Sequence, residues 1–347
     1  MKLLINKLKK DELLTSYNFA RNSDVVFSEM VTHEQFDRFK DKESLEIVYE
    51  DRNLVFYIRK QFTLKENDVI FCNSHFIELL LKKIKYSEFQ NLKIITHQTD
   101  IPVNKNIYMK KPKSVSFWFG ININHKDRGL IPIPIGLAND YSPKNLMQDD
   151  YKKLEESEKK ERKIYLNFED NTNISERTKI RNLLQHQTWI VEESKKSLKD
   201  YLSGINKHFF NLAPWGNGYD THRFWETLYA NSIPITRDHI TYATAKELPV
   251  LFVKDYKELN LEFLVSFINE FNKRDYNYDI LNIKYWLNKI QKIKIKDINK
   301  LENYIIKEEI IFKEIQSFHK KSKIQSRKKL IFFRIRQARK LLLRIIN

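Results

Sequence analysis

FFNLAPWGNGYDTHRFWETLYANSIPITRDH, Phe209 to His239, sets an apolar run, a glycine-containing loop, a helical segment and a second apolar run in succession. Its apolar opening reads as a short strand ending near Ala213, and a loop with Gly216 and Gly218 follows. Asp220 stands where it would cap a helix through THRFWETLYANS, and IPIT starts a new strand at Ile233. Strand, glycine loop, helix and strand in that order predict a parallel sheet with helices on its faces. The loop and helix start bring free backbone N–H groups and the positive end of a helix dipole to the carboxyl edge of that sheet, where phosphate binds well.

The alternation continues on both sides. KIYLNFE reads as a strand, SERTKIRNLLQHQ as a helix with Ser175 as N-cap, TWIVEE as a strand, SLKDYLSGINKH as a helix and LPVLFV as a strand. Residues 164–270 thus read as an α/β domain. Towards the N-terminus, LEIVYE, LVFYIR, DVIFCNS, LKIITHQ and SVSFWFGI read as strands, and HFIELLLKKIKYSEF has helical apolar spacing at Phe76, Leu79, Leu80 and Ile84. In GLIPIPIGL, Pro132 and Pro134 limit ladder bonding and point to an edge or loop. Residues 1–147 therefore read as a first α/β domain. The charged segment 148–163 reads as an interdomain helix or linker, and 271–347 as a helical extension ending in a basic tail. All six glycines lie between Gly120 and Gly218, so backbone freedom is concentrated where a ligand or hinge would use it.

A chain of 347 residues with 41% hydrophobic residues has enough apolar material for two ordinary domains. A net charge of +17 suits an anionic partner, whether nucleotide, nucleic acid or anionic membrane, although an Ile-, Lys- and Asn-rich chain also fits the codon bias of an AT-rich genome. The single cysteine, Cys72, excludes an internal disulfide and a Cys-based zinc cluster and reads as a small buried hydrophobe. No apolar run approaches the roughly 18 residues of a membrane span. The start, MKLLINKLKKDELL, is broken by Lys7, Lys9, Lys10, Asp11 and Glu12 before a signal-peptide core forms, so a cytoplasmic location is expected. Residues 320–347 hold eleven Lys or Arg, no acid, and bulky apolar residues including Phe333, Leu341 and Ile345. Such a basic amphipathic helix would lie peripherally on an anionic membrane surface. Docking on the chain's own first domain and RNA binding are its alternatives. No helix-turn-helix, RNP-type strand or KH-like G-x-x-G is recognisable, which argues against nucleic acid as partner.

Arg223 and Glu226 lie three residues apart near the helix start. On one helical face, the guanidinium would hold a pyrophosphate and the carboxylate would accept from ribose hydroxyls; an ordinary intrahelical ion pair is the alternative. Trp225, Leu228 and Tyr229 fall on another face and read as core.

The run G-x-G-x-D-T-H-R-F-W-E-x-L-x-x-x-x-I-P-I, Gly216 to Ile235, resembles the nucleotide-binding segment of exostosin-like glycosyltransferases of the GT-B fold. At Ala230-Asn231-Ser232 the family usually has a glycine, in A-x-G before I-P, and asparagine is the residue next best suited to positive φ. YLNFEDNTNISERTKIR is similar to the opening of the C-terminal domain in bacterial members. The resemblance implies two Rossmann-like domains facing across a cleft, with an acceptor domain over 1–147 and a nucleotide-sugar-binding domain over 164–270. It implies a donor site of Gly216, Asn217, Gly218, Asp220, Thr221, His222, Arg223 and Glu226, with Arg177 and the loop Asn171 to Asn173 facing the cleft.

An inverting transfer of this kind needs a general base near the acceptor hydroxyl. The strand-end residues His97 and Asp100 in ITHQTD are the first candidates, with His75 in FCNSHF behind them. His125, Asp127 and Arg128 read either as cleft lining or as a solvated turn. No Asp-x-Asp follows an apolar strand, and Asp149-Asp150 lies in the charged segment, so transfer without a metal or other cofactor is expected. The function implied is transfer of a sugar from a nucleotide sugar to a surface glycan or a lipid-linked glycan. A fucosyltransferase-like GT-B enzyme, a basic nucleic-acid- or membrane-binding protein, and a non-catalytic glycan-binding module are the competing readings.

Overall fold

A computed structural model describes residues 3–154, 159–194, 196–293 and 300–324. Most of the basic tail expected over 320–347 lies outside the described residues.

The first half contains β1 (Val25–Val31), β2 (Leu45–Glu50), β3 (Val55–Arg59), β4 (Gln61–Lys65), β5 (Val69–Asn73), β6 (Leu92–His97), β7 (Val103–Asn104), β8 (Val115–Gly120), β9 (Ile123–Asn124) and β10 (Leu130–Pro132). Seven of them form one sheet in the order β10-β8-β6-β5-β1-β3-β2. From β10 to β1 the pairs are parallel, whereas β3 runs antiparallel to both β1 and β2. Every residue of β5 and β6 is buried, as a parallel sheet covered on both faces requires. Pro132 closes β10 at the sheet edge, where its missing N–H costs no ladder bond.

β1 has no apolar run long enough to announce itself, because VVFSEMV places Ser28 and Glu29 at its centre. Glu29 is nevertheless fully buried, held by an ion pair with Arg21 and by the Tyr57 hydroxyl at 3.1 Å. Burial pushes its carboxyl up to about 7, against the pull of Arg21.

The second sheet has the order β12-β11-β13-β14-β15 and is parallel throughout. Its strands are β11 (Glu161–Leu166), β12 (Ile190–Glu192), β13 (His208–Leu212), β14 (Ile233–Arg237) and β15 (Leu251–Val253). Helices Ile174–Leu184, Leu198–Lys207 and His222–Tyr229 connect the first four in turn. Asn173, not Ser175, caps the first of these: its Oδ1 accepts from the Glu176 N–H, and the Ser175 hydroxyl donates to it instead.

The segment expected as linker is anchored more firmly than its charge suggests. Gln148–Lys152 is a helix, and Tyr151 within it is fully buried, with its hydroxyl donating to the Glu226 carbonyl at 3.1 Å. Strand β11 already begins at Glu161. One apolar cluster joins the halves, running from Leu3, Ile5 and Phe71 to Phe224, Trp225 and Trp286.

The C-terminal region is not wholly helical, contrary to expectation. After helices Leu261–Phe271 and Ile283–Gln291, β16 (Leu301–Ile305) pairs antiparallel with β4 in the first half. Tyr304 decides this by stacking on Phe62 at 5.2 Å while its neighbours Asn303 and Ile305 face out. A helix over 308–324 follows, and Phe318 packs against Phe56 and His75. Among the described residues, no helix is long and apolar enough to cross a membrane.

Candidate functional site

Strand β13 delivers the chain to a cavity of about 460 Å³. One wall is the loop and helix start from Gly216 to Glu226; others come from Asn167 to Arg177, from Lys196 to Tyr201, and, in the first half, from Asp100, Ile135 and Lys144 to Leu146. All nine residues expected at the donor site line it: Gly216, Asn217, Gly218, Asp220, Thr221, His222, Arg223, Glu226 and Arg177. The end of β11, the start of helix Leu198–Lys207 and the start of helix His222–Tyr229 thus meet at the carboxyl edge of the second sheet.

The helix start is uncapped. Thr221 holds the N-cap position with extended backbone but makes no side-chain cap bond, and the first turn carries no acid. The Thr221 Oγ1, Arg223 Nε and Thr172 Oγ1 atoms are buried without a hydrogen-bond partner among the described residues. Buried polar atoms are nearly always paired, and each orphan costs about 1–3 kcal/mol. All three residues line the cavity beside the helix N-terminus.

Two cations border the same space. Arg177 is only 5% exposed and donates to the carbonyls of Trp215 (2.9 Å), Glu169 (2.8 Å) and Pro214 (3.4 Å). Burial, and then the charge of Arg223, lower its pKa to about 10. Arg223 lies over the Tyr201 ring at 5.4 Å. The intrahelical ion pair with Glu226 does not form; Glu226 Oε2 instead accepts from the Tyr201 hydroxyl at 2.9 Å. Two guanidinium groups that repel each other in a cavity bind an anion with less cost than either alone in water.

Asp220 does not serve as the helix cap. Its Oδ2 accepts from the Ile135 N–H at 2.8 Å and its Oδ1 from the Trp225 indole at 2.9 Å, and burial pushes its carboxyl up to about 7. His222 Nδ1 donates to the Gly136 carbonyl at 2.8 Å, and the Asn122 side chain accepts from the Asp220 N–H at 2.8 Å. Both residues therefore stitch the glycine loop to the first half of the chain. The left-handed Asn231 (φ 54°) closes the turn before β14, in the role its sequence position suggested.

The two residues expected as base separate. Asp100 lines the cavity and is exposed. His97 does not line it: it is 2% exposed, Nε2 donates to the Pro134 carbonyl at 3.2 Å, and Nδ1 accepts from the Gln98 N–H at 2.8 Å. With both nitrogens engaged inside the sheet edge, His97 is a structural histidine. His75 sits under Phe318 at 5.0 Å, outside the cavity lining. Asp127 is a turn residue, accepting from Tyr108 at 2.6 Å and from the Gly129 N–H at 2.8 Å, while His125 packs on the Tyr108 ring.

Burial lowers the His97 pKa to about 3, whereas in the unfolded chain it is about 6.5. Between those values only the unfolded chain takes up the proton, so stability falls as pH drops from 6.5 to 3. Asp220 and Glu29, raised to about 7, act oppositely: the native form keeps their protons, and stability falls as pH rises through 4 to 7. His97→Gln is expected to remove its own contribution, on the order of 1 kcal/mol per pH unit, from the acid side of the stability curve. Urea midpoints measured from pH 4 to 7 check this, and parallel curves for variant and wild type would refute it.

Sequence reading missed Lys144, Lys196, Asn167, Phe168 and Tyr201 as cavity residues. Tyr201 shares helical spacing with Leu198, Leu202 and Ile205 and reads as core; Lys144 and Lys196 lie in segments without periodicity. Among the described residues, no three His, Cys, Asp or Glu side chains gather as metal ligands. No family model and no curated protein matches the chain.

Proposed function

We propose that this protein is a glycosyltransferase of the GT-B type, in which the second half holds a nucleotide-sugar donor and the first half offers the acceptor side. The observation that carries the reading is the uncapped helix start whose Thr221 and Arg223 present unpartnered buried polar atoms beside the cavity, with Arg177 adjacent. A diphosphate supplies what that wall lacks: several acceptor oxygens and two negative charges. Glu226, with one oxygen already oriented by Tyr201, takes a ribose hydroxyl on the other.

In the transfer, the acceptor hydroxyl attacks the anomeric carbon and its proton passes to the Asp100 carboxylate, while the bond from that carbon to the diphosphate oxygen breaks. Arg223 and the helix N–H groups stabilise the charge that develops on the leaving oxygen, and configuration inverts. On this reading catalysis uses no divalent ion. The acceptor is a growing surface glycan or a lipid-linked glycan.

The test is a thermal-shift series against UDP, GDP, CDP and ADP, with and without EDTA. A ligand at about a hundredfold its Kd, bound only by the native state, adds about 2.7 kcal/mol of stability. The expected result is a selective shift that EDTA leaves intact. Absence of a shift with all four, or a shift that EDTA abolishes, refutes the donor site as described.

A further inference from the structure

Four lysine or arginine side chains line the cavity: Lys144, Arg177, Lys196 and Arg223. Three of them are engaged within the second half. Arg177 donates to three carbonyls, Lys196 pairs with Glu193 at 3.2 Å, and Arg223 covers the Tyr201 ring. Lys144 belongs to the first half, and among the described residues it takes part in no hydrogen bond, ion pair or ring contact.

Its backbone is nevertheless fixed. The Ser142 N–H donates to the Asn139 carbonyl at 2.8 Å and the Asn145 N–H to the Ser142 carbonyl at 3.1 Å, while Pro143 between them restricts φ. Asn139 is itself held, its Oδ1 accepting from the Tyr17 N–H at 3.1 Å. On the other side, Leu146 is fully buried, and the helix that follows delivers the Tyr151 hydroxyl to the Glu226 carbonyl. Lys144 thus stands on a pinned turn that leads into the packing beneath Glu226, and only its four-carbon stem is left to move. The ammonium is exposed, for an electrostatic reason. Arg223 already depresses the pKa of Arg177, and a third cation held against them is repelled until an anion neutralises the group.

The first-half wall of the cavity carries one other charged side chain, Asp100. With Asp100 taking the acceptor proton, the part of a donor that faces this wall is the diphosphate with its anomeric carbon. An ammonium offers three donors and no acceptor, which suits phosphate oxygens.

We propose that Lys144 is a phosphate-binding residue, contributed by the first half, that closes on the donor diphosphate from across the cleft. The inference rests on the nucleotide-sugar reading of the cavity and adds a contact that the glycine loop and its helix do not supply. One ligand is then held by both halves of the chain.

The test is equilibrium binding of UDP, GDP, CDP and ADP to the full chain, with inorganic pyrophosphate as competitor. Lys144→Ala is expected to weaken the diphosphate that wild type binds most tightly by about five- to tenfold, as for one charge-assisted contact at a solvent-facing wall, and to weaken pyrophosphate by the same factor. Lys144→Arg should recover most of the affinity, because it keeps the charge. Lys113→Ala removes an exposed lysine of the same half outside the cavity lining; it controls for net charge and should bind as wild type does. Melting temperatures without nucleotide should agree across the set. Binding by wild type that Lys144→Ala leaves unchanged overturns this inference alone and leaves the donor site standing. A loss confined to the nucleotides, with pyrophosphate competing as before, overturns it too, since Lys144 would then act on base or ribose. If wild type binds none of the four, the donor site itself fails and this inference with it.

Discussion

Arg223→Ala is expected to weaken nucleoside diphosphate binding by ten- to several-hundredfold, the equivalent of one or two charge-assisted hydrogen bonds at about 1.5–3 kcal/mol each. The unliganded protein should lose little stability, for a reason specific to this cavity. Among the described residues Arg223 has no ion-pair partner to leave behind; its guanidinium covers the Tyr201 ring, and it depresses the pKa of Arg177. Removing it relieves one repulsion at the cost of one cation–π contact, each worth about 1 kcal/mol or less at a partly solvated site. Binding and folding are therefore separable at this position. Arg223→Lys should recover only part of the affinity, because an ammonium lacks the planar fork that bridges two phosphate oxygens. Titration calorimetry with the diphosphate that gives the largest thermal shift measures both variants, and an alanine variant within about twofold of wild type would sink the site assignment.

Gly136→Ala should be among the most damaging single-methyl changes in the chain. Gly136 has φ +66°, and a Cβ placed on it would lie 2.0 Å from the Leu14 carbonyl oxygen, which is backbone and has no side-chain route of escape. That oxygen accepts from the Leu137 N–H at 2.8 Å, so the turn and the start of the chain hold each other. The Gly136 carbonyl also accepts from His222 at the helix start after the glycine loop. Left-handed backbone costs a non-glycine residue about 1 kcal/mol, and displacing packed backbone adds more, for an expected loss of about 3 kcal/mol or above. Urea denaturation measures it; a loss under about 1 kcal/mol would mean that the turn accommodates a side chain and does not clamp the glycine loop. Because His222 moves with that turn, diphosphate affinity is expected to fall in whatever Gly136→Ala protein folds.

Several features of the fold are legible in the residue order because their causes are local. The buried runs of β5 and β6, the helix between them, the edge position of Pro132, the glycine loop before His222–Tyr229 and the left-handed turn at Asn231 each follow from propensity, spacing or a backbone requirement within a few residues. That the nine residues expected at a donor site line one cavity is legible for the same reason: eight of them lie within one strand–loop–helix unit, and that unit's own geometry brings them to one sheet edge.

Elsewhere local reading fails, and each failure has a distant partner. β1 hides because Glu29 looks like surface until Arg21 and Tyr57 close on it. His97 looks like a base until the carbonyl of Pro134, 37 residues away, accepts a hydrogen bond from its Nε2–H. Asp220 looks like a cap until Ile135, 85 residues away, donates to it. LENYI, in a Lys-, Ile- and Asn-rich stretch, looks helical until Phe62 offers a ring for Tyr304.

By itself, then, the sequence determined an α/β chain and the segment that forms the candidate donor site, since both depend on short-range backbone preference and apolar period. Tertiary structure alone decided which titratable groups remain available for chemistry. A carboxylate or imidazole becomes a clamp or stays a reagent according to whether a backbone donor or acceptor from the other end of the chain reaches it first, and proximity of that kind is set by packing.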